Sequence, residues 1–293
     1  MNPHLIVALA PLMWAGNFVV GRAIAGQITP VELAHWRWAV ALLCLAPLGL
    51  PRLRAEWPLI RARLWRLTLL GAIGVGGFNT LVYTGLQTTE ASNALLIIAV
   101  IPMVILLLGR WIYAMRASPR QMFGVGVSLL GMLAIISGGD WRTIVELSFN
   151  RGDLWLLAAV LCWSLYSLWL RWKPAQLSAL GFLTYTVLVG YGLLALLYWP
   201  QVLAGKALPS GAVSWAAIAY TGLCASLIAF LCWNHGVKHL GAGVAGQFIH
   251  LQLVFGTLLA MVFLGEQFAA ADLLGAALIG GGILLTIWRR RGR

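Results

Sequence analysis

The chain is a succession of long apolar runs separated by short breaks. Ten such runs, near 3–23, 32–50, 66–86, 92–112, 119–138, 153–171, 178–199, 213–234, 242–264 and 270–288, are each roughly 20 residues long, the length a helix needs to cross the hydrocarbon core of a bilayer. The breaks hold turn residues: Thr29-Pro30, Pro51, Pro119, Gly138-Gly139, Pro174, Pro200, Pro209 and Gly241. The runs are too long for strands and lack the ten-residue alternation of a membrane barrel. Only 10% of the 293 residues are charged and 61% are hydrophobic. A soluble domain carries about 25% charged residues. The expected fold is therefore all-α, a polytopic membrane protein with ten transmembrane helices and no room for a separate soluble domain.

The formal charge of +12 would point to nucleic acid in a soluble protein. The distribution gives another explanation. If helices alternate in direction, fifteen of the twenty cations fall on one side, in the 51–66 and 110–120 breaks, after the sixth and eighth helices, and at the C-terminus. The other side receives Arg142, Arg151 and Lys206, while Arg22 and Arg37 lie in or near helices. This segregation orients a protein in a cell (inner) membrane with both termini cytoplasmic, and it requires no nucleic acid. The first run lacks a basic leader and reads as a retained helix. Cys44, Cys162, Cys224 and Cys232 sit in apolar runs without metal-ligand spacing and read as small buried hydrophobes.

The chain also repeats itself. Leu12, Trp14 and Arg22 recur 149 positions later as Leu161, Trp163 and Arg171; Gly85, Gly124 and Gly131 recur 151 positions later as Gly236, Gly275 and Gly282. Five helices per half is an odd number, so the second half enters the membrane from the opposite side. The expectation is two inverted five-helix repeats, at 1–139 and 152–290, with a site near the midplane between them.

Trp14-Ala15-Gly16-Asn17-Phe18, then Arg22, then Thr29-Pro30 with Leu33-Ala34 and Arg37, resemble the opening of the drug/metabolite transporter superfamily in its EamA-type branch. Phe263-Leu264-Gly265-Glu266, Leu274-Gly275 and Gly280 to Gly282 resemble its closing helices. The resemblance covers nearly the whole chain and implies ten helices, inverted repeats and export of amino acids, metabolites or drugs. The density of tryptophan and tyrosine is most similar to the amino-acid exporters, including the aromatic ones. The first half departs at Met115, where the repeat would place a counterpart of Glu266.

Polar side chains at membrane depth are costly and tend to face the bundle interior or a wet cavity. Eight candidates stand near helix midpoints: Trp14 and Asn17, Asn79 and Tyr83, Trp163 and Tyr166, Gln247 and His250. The first three pairs share a face by their three- or four-residue spacing. As a cavity lining they would hold an apolar or aromatic substrate body and hydrogen-bond its polar head. Interhelical glue, at about 1 kcal/mol each, is the alternative for any one of them. His250 is a candidate proton-coupling group or a neutral hydrogen-bonded histidine. Glu32, Arg22 and Arg37 are read near the outer face, as an ion-pair latch or as an ordinary helix-start motif. Trp57, Trp65, Trp141, Trp199, Trp215 and Trp288 read as interfacial anchors.

All eight carboxylates lie in loops or near helix ends. Proton-driven pumps commonly place one at the membrane centre, so the expectation is transport without a buried carboxylate for coupling. Gly241-x-Gly243-x-x-Gly246 fits a dinucleotide pattern but follows no strand, which the pattern requires. No Walker, HExxH or GxSxG sequence appears, so no cofactor, metal or enzymatic reaction is expected. The sequence reading is a transporter of small metabolites, neutral amino acids leading, by alternating access. An exporter of hydrophobic or cationic drug-like compounds is the alternative, and a non-transporting sensor or enzyme the remote one. A monomer suffices; a homodimer through Gly124-x-x-x-Ser128 and Ala276-x-x-x-Gly280 is the other option.

Overall fold

The computed structural model describes residues 2–24, 27–89, 91–140, 142–145, 149–264 and 269–287; within helices, the side chains at 18, 19, 21–23, 91, 92, 143 and 264 fall outside that description. Among the described residues every regular element is helical. Ten rods follow one another: α1 (Pro3–Ala23), α2 (Pro30–Ala55), α3 (Leu64–Gly85), α4 (Asn93–Tyr113), α5 (Pro119–Ser137), α6 (Arg151–Trp172), α7 (Ala179–Leu203), α8 (Ala212–Leu240), α9 (Ala242–Phe263) and α10 (Ala270–Ile287). Among the described residues the nine from α2 to α10 are long and apolar enough to cross a membrane. α1 matches them with 21 residues, about 31 Å of helix. Leu43, Leu48, Trp111, Leu196, Leu203 and Phe263 stand exposed on the outside of the bundle. So many large apolar side chains turned outward suit lipid as the surrounding solvent. Trp57, Trp65, Trp199 and Trp215 are exposed as anchors should be; Trp141 and Trp288 lie outside the described residues.

The breaks do the work their composition promises. Ser118 accepts from the Gln121 N–H at 3.1 Å and Ser178 from the Gly181 N–H at 2.9 Å, opening α5 and α7. At α6, Asn150 accepts from Gly152 N–H at 2.7 Å while Asp153 accepts from Asn150 N–H at 2.9 Å. These side chains satisfy N–H groups that a helix start otherwise leaves orphaned. Gly241, at φ +80°, makes the one-residue turn from α8 into α9. α8 runs on to Leu240, past the 213–234 run, so Asn234 sits inside the helix and not at its end. The apolar run stops where His235, Lys238 and His239 begin, but the helix does not.

The repeat is written into the contacts. Glycine lets helices approach until backbone meets backbone. A Cβ placed on Gly71 would lie 2.8 Å from the Thr186 carbonyl oxygen and 2.9 Å from Val189 Cβ; one on Gly222 would lie 2.8 Å from the Arg37 carbonyl oxygen and 2.8 Å from Val40 Cβ. Gly222 is Gly71 plus 151, Thr186 is Arg37 plus 149, and Val189 is Val40 plus 149. In the same way Gly85 packs on Leu156, and Gly236 packs on Val7. Exchanging the two halves turns each contact into its counterpart, as a two-fold relation between inverted halves demands. On the axis itself a residue meets its own counterpart: Ser128 Oγ donates to Ile279 O at 3.4 Å, and His250 Nε2 pairs with Ala99 O at 2.9 Å.

α5 and α10 cross on that axis. A Cβ on Gly124 would lie 2.5 Å from Gly282 O, and one on Gly131 would lie 2.6 Å from Gly275 O. Gly124 and Ser128 are therefore spent inside the monomer, which removes them from the dimer face read in the sequence. The Gly71–Gly77 segment of α3 and the Thr221–Ile228 segment of α8 are both wound as π-helix. They are repeat equivalents, and wide turns of this kind frequently mark functional sites.

Candidate functional site

Arg37 lies seven residues into α2, about 10 Å from its start. Its side chain is 1% exposed. Nε donates to Ser226 Oγ at 2.7 Å; Nη1 donates to Tyr83 Oη at 2.6 Å, Asn79 Oδ1 at 3.2 Å and Asn17 Oδ1 at 3.5 Å. Every acceptor is neutral. Among the described residues no carboxylate comes within ion-pair distance of this guanidinium, and the ion pair present joins Lys206 to Glu32 at 3.5 Å. Tyr83 also donates to Asn17 at 3.3 Å. The cluster draws on α1, α2, α3 and α8, so both halves build it. The π-wound stretch of α8 supplies Ser226 and, one residue earlier, the Ala225 carbonyl that accepts from Trp14 Nε1 at 3.0 Å.

An aromatic group adjoins the polar one. Trp14 stands edge-on to Trp163 with ring centroids 5.1 Å apart and 5.5 Å from Trp233; Trp163 lies 4.7 Å from Phe78 and 5.4 Å from Phe230. Phe230, one turn beyond Ser226, packs on Trp38 at 5.0 Å, and Trp38 carries the Arg37 guanidinium 5.7 Å from its ring centroid. Trp163, Tyr166 and Trp233 are fully buried, whereas Trp14, Asn17 and Tyr83 retain partial exposure.

Part of the aromatic group stands at the repeat positions of the polar one. Asn17 corresponds to Tyr166, Arg37 to Thr186, Asn79 to Phe230, Tyr83 to Asn234 and Ser226 to Val75. The Tyr83–Asn17 bond has its twin in Tyr166 Oη, which donates to Asn234 Oδ1 at 3.0 Å. Donor and acceptor have changed helices. Thr186, where the second cation would stand, turns its hydroxyl back onto the Phe182 and Leu183 carbonyls of its own helix. The repeat thus keeps the tyrosine–asparagine bond but replaces Arg37 by Thr186 and Asn79 by Phe230.

The eight sequence candidates separate into these neighbourhoods. Asn17, Asn79 and Tyr83 converge on Arg37; Trp14, Trp163 and Tyr166 build the aromatic side. Gln247 and His250 stand apart, where α9 meets α4 and α5: Gln247 donates to Gln121 O at 3.2 Å and His250 reaches Ala99 O. A carbonyl can only accept, so Nε2 carries the proton in that bond. Both residues are fully buried. The Glu32–Arg37 latch is not formed. Glu32 faces Lys206 and accepts from Tyr198 at 3.4 Å, while Arg37, five residues on, points inward; the side chain of Arg22 lies outside the described residues, as do Glu90, Glu146 and Glu266. Sequence reasoning missed Arg37 and Ser226 as central groups. It also missed His35, fully buried without a hydrogen bond, stacked 4.5 Å from Tyr198 and tilted against Tyr191 at 4.9 Å. Counting two turns inward from Pro30 would have flagged the arginine.

Comparison with known proteins adds an independent line. The model of the EamA-like transporter family matches residues 1–137 and again 150–288. The uncharacterized transporter YyaM of Bacillus subtilis is 27% identical over 97% of this chain and 93% of its own. A probable terminal-alkyne amino-acid exporter of Streptantibioticus cattleyicolor is 28% identical over 98% of this chain and 94% of its own. A solved crystal structure shares the fold, with a TM-score of 0.78 at 22% identity over 98% of both chains.

Proposed function

The chain belongs to the EamA-like transporter family and is a multi-pass membrane transporter; from that premise we propose that it exports small metabolites, amino acids foremost, by alternating access of its two inverted halves. The observation that carries this reading is the central site shared by both halves, polar on one side at Arg37 and aromatic on the other at Trp14 and Trp163. Such a site matches a solute with a polar head and an apolar or aromatic body. The similarity to a probable amino-acid exporter supports the same class. In this reading Trp14, Asn17, Asn79, Tyr83, Trp163 and Tyr166 belong to the substrate site, and Gln247 and His250 hold α9 against α4 and α5.

The protein is read as a cell-membrane transporter with both termini in the cytoplasm. Arg63, Arg171 and Lys173 then surround a depression of about 480 Å³ on the cytoplasmic face, with Trp172 as one wall. In this reading no carboxylate at the membrane centre couples transport to protons. Among the described residues the buried carboxylates are Glu32 and Asp153, both at helix starts and both engaged in local bonds. The test is counterflow in liposomes containing the protein, with labelled phenylalanine, leucine and alanine outside and each amino acid in excess inside. Exchange is expected, strongest for phenylalanine. Absence of exchange for every amino acid would refute the amino-acid reading, and accumulation against a gradient that depends on a proton gradient would refute the uncoupled one.

A further inference from the structure

We propose that Arg37 is the seat of a substrate carboxylate, so that this transporter selects solutes by the acid they carry and rejects the corresponding amines. This deepens the transport reading and rests on it. A cation within a membrane helix is expensive and is normally paired or functional. Arg37 is nearly sealed from the surface, yet its partners are two amides, a phenol and a serine, all of them neutral. They use Nε and Nη1. Nη2, with two N–H groups, has no partner among the described residues, and it is not one of the enclosed orphan atoms such as the Trp38 indole nitrogen or the His35 ring nitrogens. A guanidinium held by its neighbours in one orientation, with one amino group left over and no counter-charge, is a preformed receptor for a carboxylate, which Nη2 meets with a charge-assisted hydrogen bond.

The repeat sharpens the point. A binding-site cation on a two-fold element would ordinarily come twice, but Thr186 stands at the second position and bonds its own helix. One charge is therefore offered to one acid group. Phe230 replaces the equivalent of Asn79 and packs against Trp163 and Trp38, so the apolar body of the solute has its place beside the acid group. No acidic side chain among the described residues lies in the cluster to receive an ammonium. The carboxylate is thus the required group and the amine is dispensable.

Three solutes of one shape separate the possibilities: phenylalanine, 3-phenylpropionate, which keeps the acid and lacks the amine, and phenethylamine, which keeps the amine and lacks the acid. Counterflow with the wild-type chain is expected for the first two and not for the third, at least tenfold slower. Arg37→Gln is expected to lower exchange of both acids by about tenfold or more, the loss of a hydrogen bond to a charged group, and Arg37→Lys to recover part of it. Melting of each purified variant in detergent, with and without 3-phenylpropionate, reports folding and binding separately: the acid raises the midpoint of the wild type and not that of Arg37→Gln. Phenethylamine exchanging as fast as phenylalanine on the wild type overturns the inference while leaving amino-acid transport standing. So does a folded Arg37→Gln variant that exchanges the acids at the wild-type rate. Exchange of none of the three overturns the reading of aromatic amino acids as substrates, and the inference with it.

Discussion

Ala99 and His250 are 151 positions apart and bonded to each other, the imidazole Nε2 lying 2.9 Å from the Ala99 carbonyl oxygen. Since 151 is also the offset of the repeat in this part of the chain, the bond lies where the two halves face their own copies. It joins α4 beside the interruption at Val100 to α9 at the 3₁₀ turn Phe248–His250.

From that placement we read His250 as a tie between halves and propose that it carries no proton. His250→Gln, which retains a donor, is expected to keep the wild-type pH profile of counterflow between pH 6 and 8. His250→Ala leaves a buried carbonyl unpaired and is expected to cost about 1–3 kcal/mol, read as a lower melting midpoint in detergent. A pH profile that flattens in His250→Gln would sink the assignment.

The crossing of α5 and α10 is set by glycine. Gly131→Ala drives a methyl to within 2.6 Å of the Gly275 carbonyl oxygen. With backbone on both sides, neither helix can give way cheaply. A loss of about 1–3 kcal/mol is expected. Gly281, one residue from the equally crowded Gly282, has open space where a Cβ would stand, so Gly281→Ala should melt with the wild type. Equal melting of the two variants would contradict the packing described.

Tyr83 and Tyr166 make twin bonds with different work. Tyr83→Phe removes the hydroxyl 2.6 Å from Arg37 Nη1 and should raise the KM for an exported acid about ten- to hundredfold, the range of a hydrogen bond to a charged group. Tyr166→Phe breaks the link to Asn234, which involves no charge, and should lower stability by about 1 kcal/mol with a smaller rise in KM than Tyr83→Phe gives. A KM effect of equal size in both would show that the twins share one role.

The ion pair of Lys206 and Glu32 is unequal. Lys206 is partly exposed and Glu32 is buried. Glu32 also accepts from the Thr29 N–H at 3.3 Å and from Tyr198. Lys206→Met should cost no more than about 1 kcal/mol, and Glu32→Gln more, because it weakens the start of α2 as well. Melting of the two variants and the double variant measures the difference; a larger effect at Lys206 would reverse the assignment.

Much of this was legible in the residues. Run length gave the helices, and constant offsets gave the halves, because a repeat survives in the glycines where helices touch. Spacing along one helix brought Asn79 and Tyr83 to one face. It could not say that Asn17 from α1 and Ser226 from α8 meet them, since that depends on which faces the fold presses together. Arg37 was misplaced because Thr29-Pro30 marks a nearby helix start, and a cation near a start is usually drawn toward water. Its depth emerges only when α8 packs against α2 at Gly222. Gln247 and His250 looked like Asn17 in composition, yet their partners are backbone carbonyls, which carry no sequence signature.

The exchange of chemistry between equivalent positions has a consequence for how such a chain can be rebuilt. Two copies of the first half joined in tandem would reproduce the helix crossings, since backbone and glycine carry them. They would also install a second guanidinium at the place of Thr186 and put an asparagine in place of Phe230. The scaffold would survive duplication and the discrimination would not. In the proposed reading, binding specificity is stored in the differences between the halves.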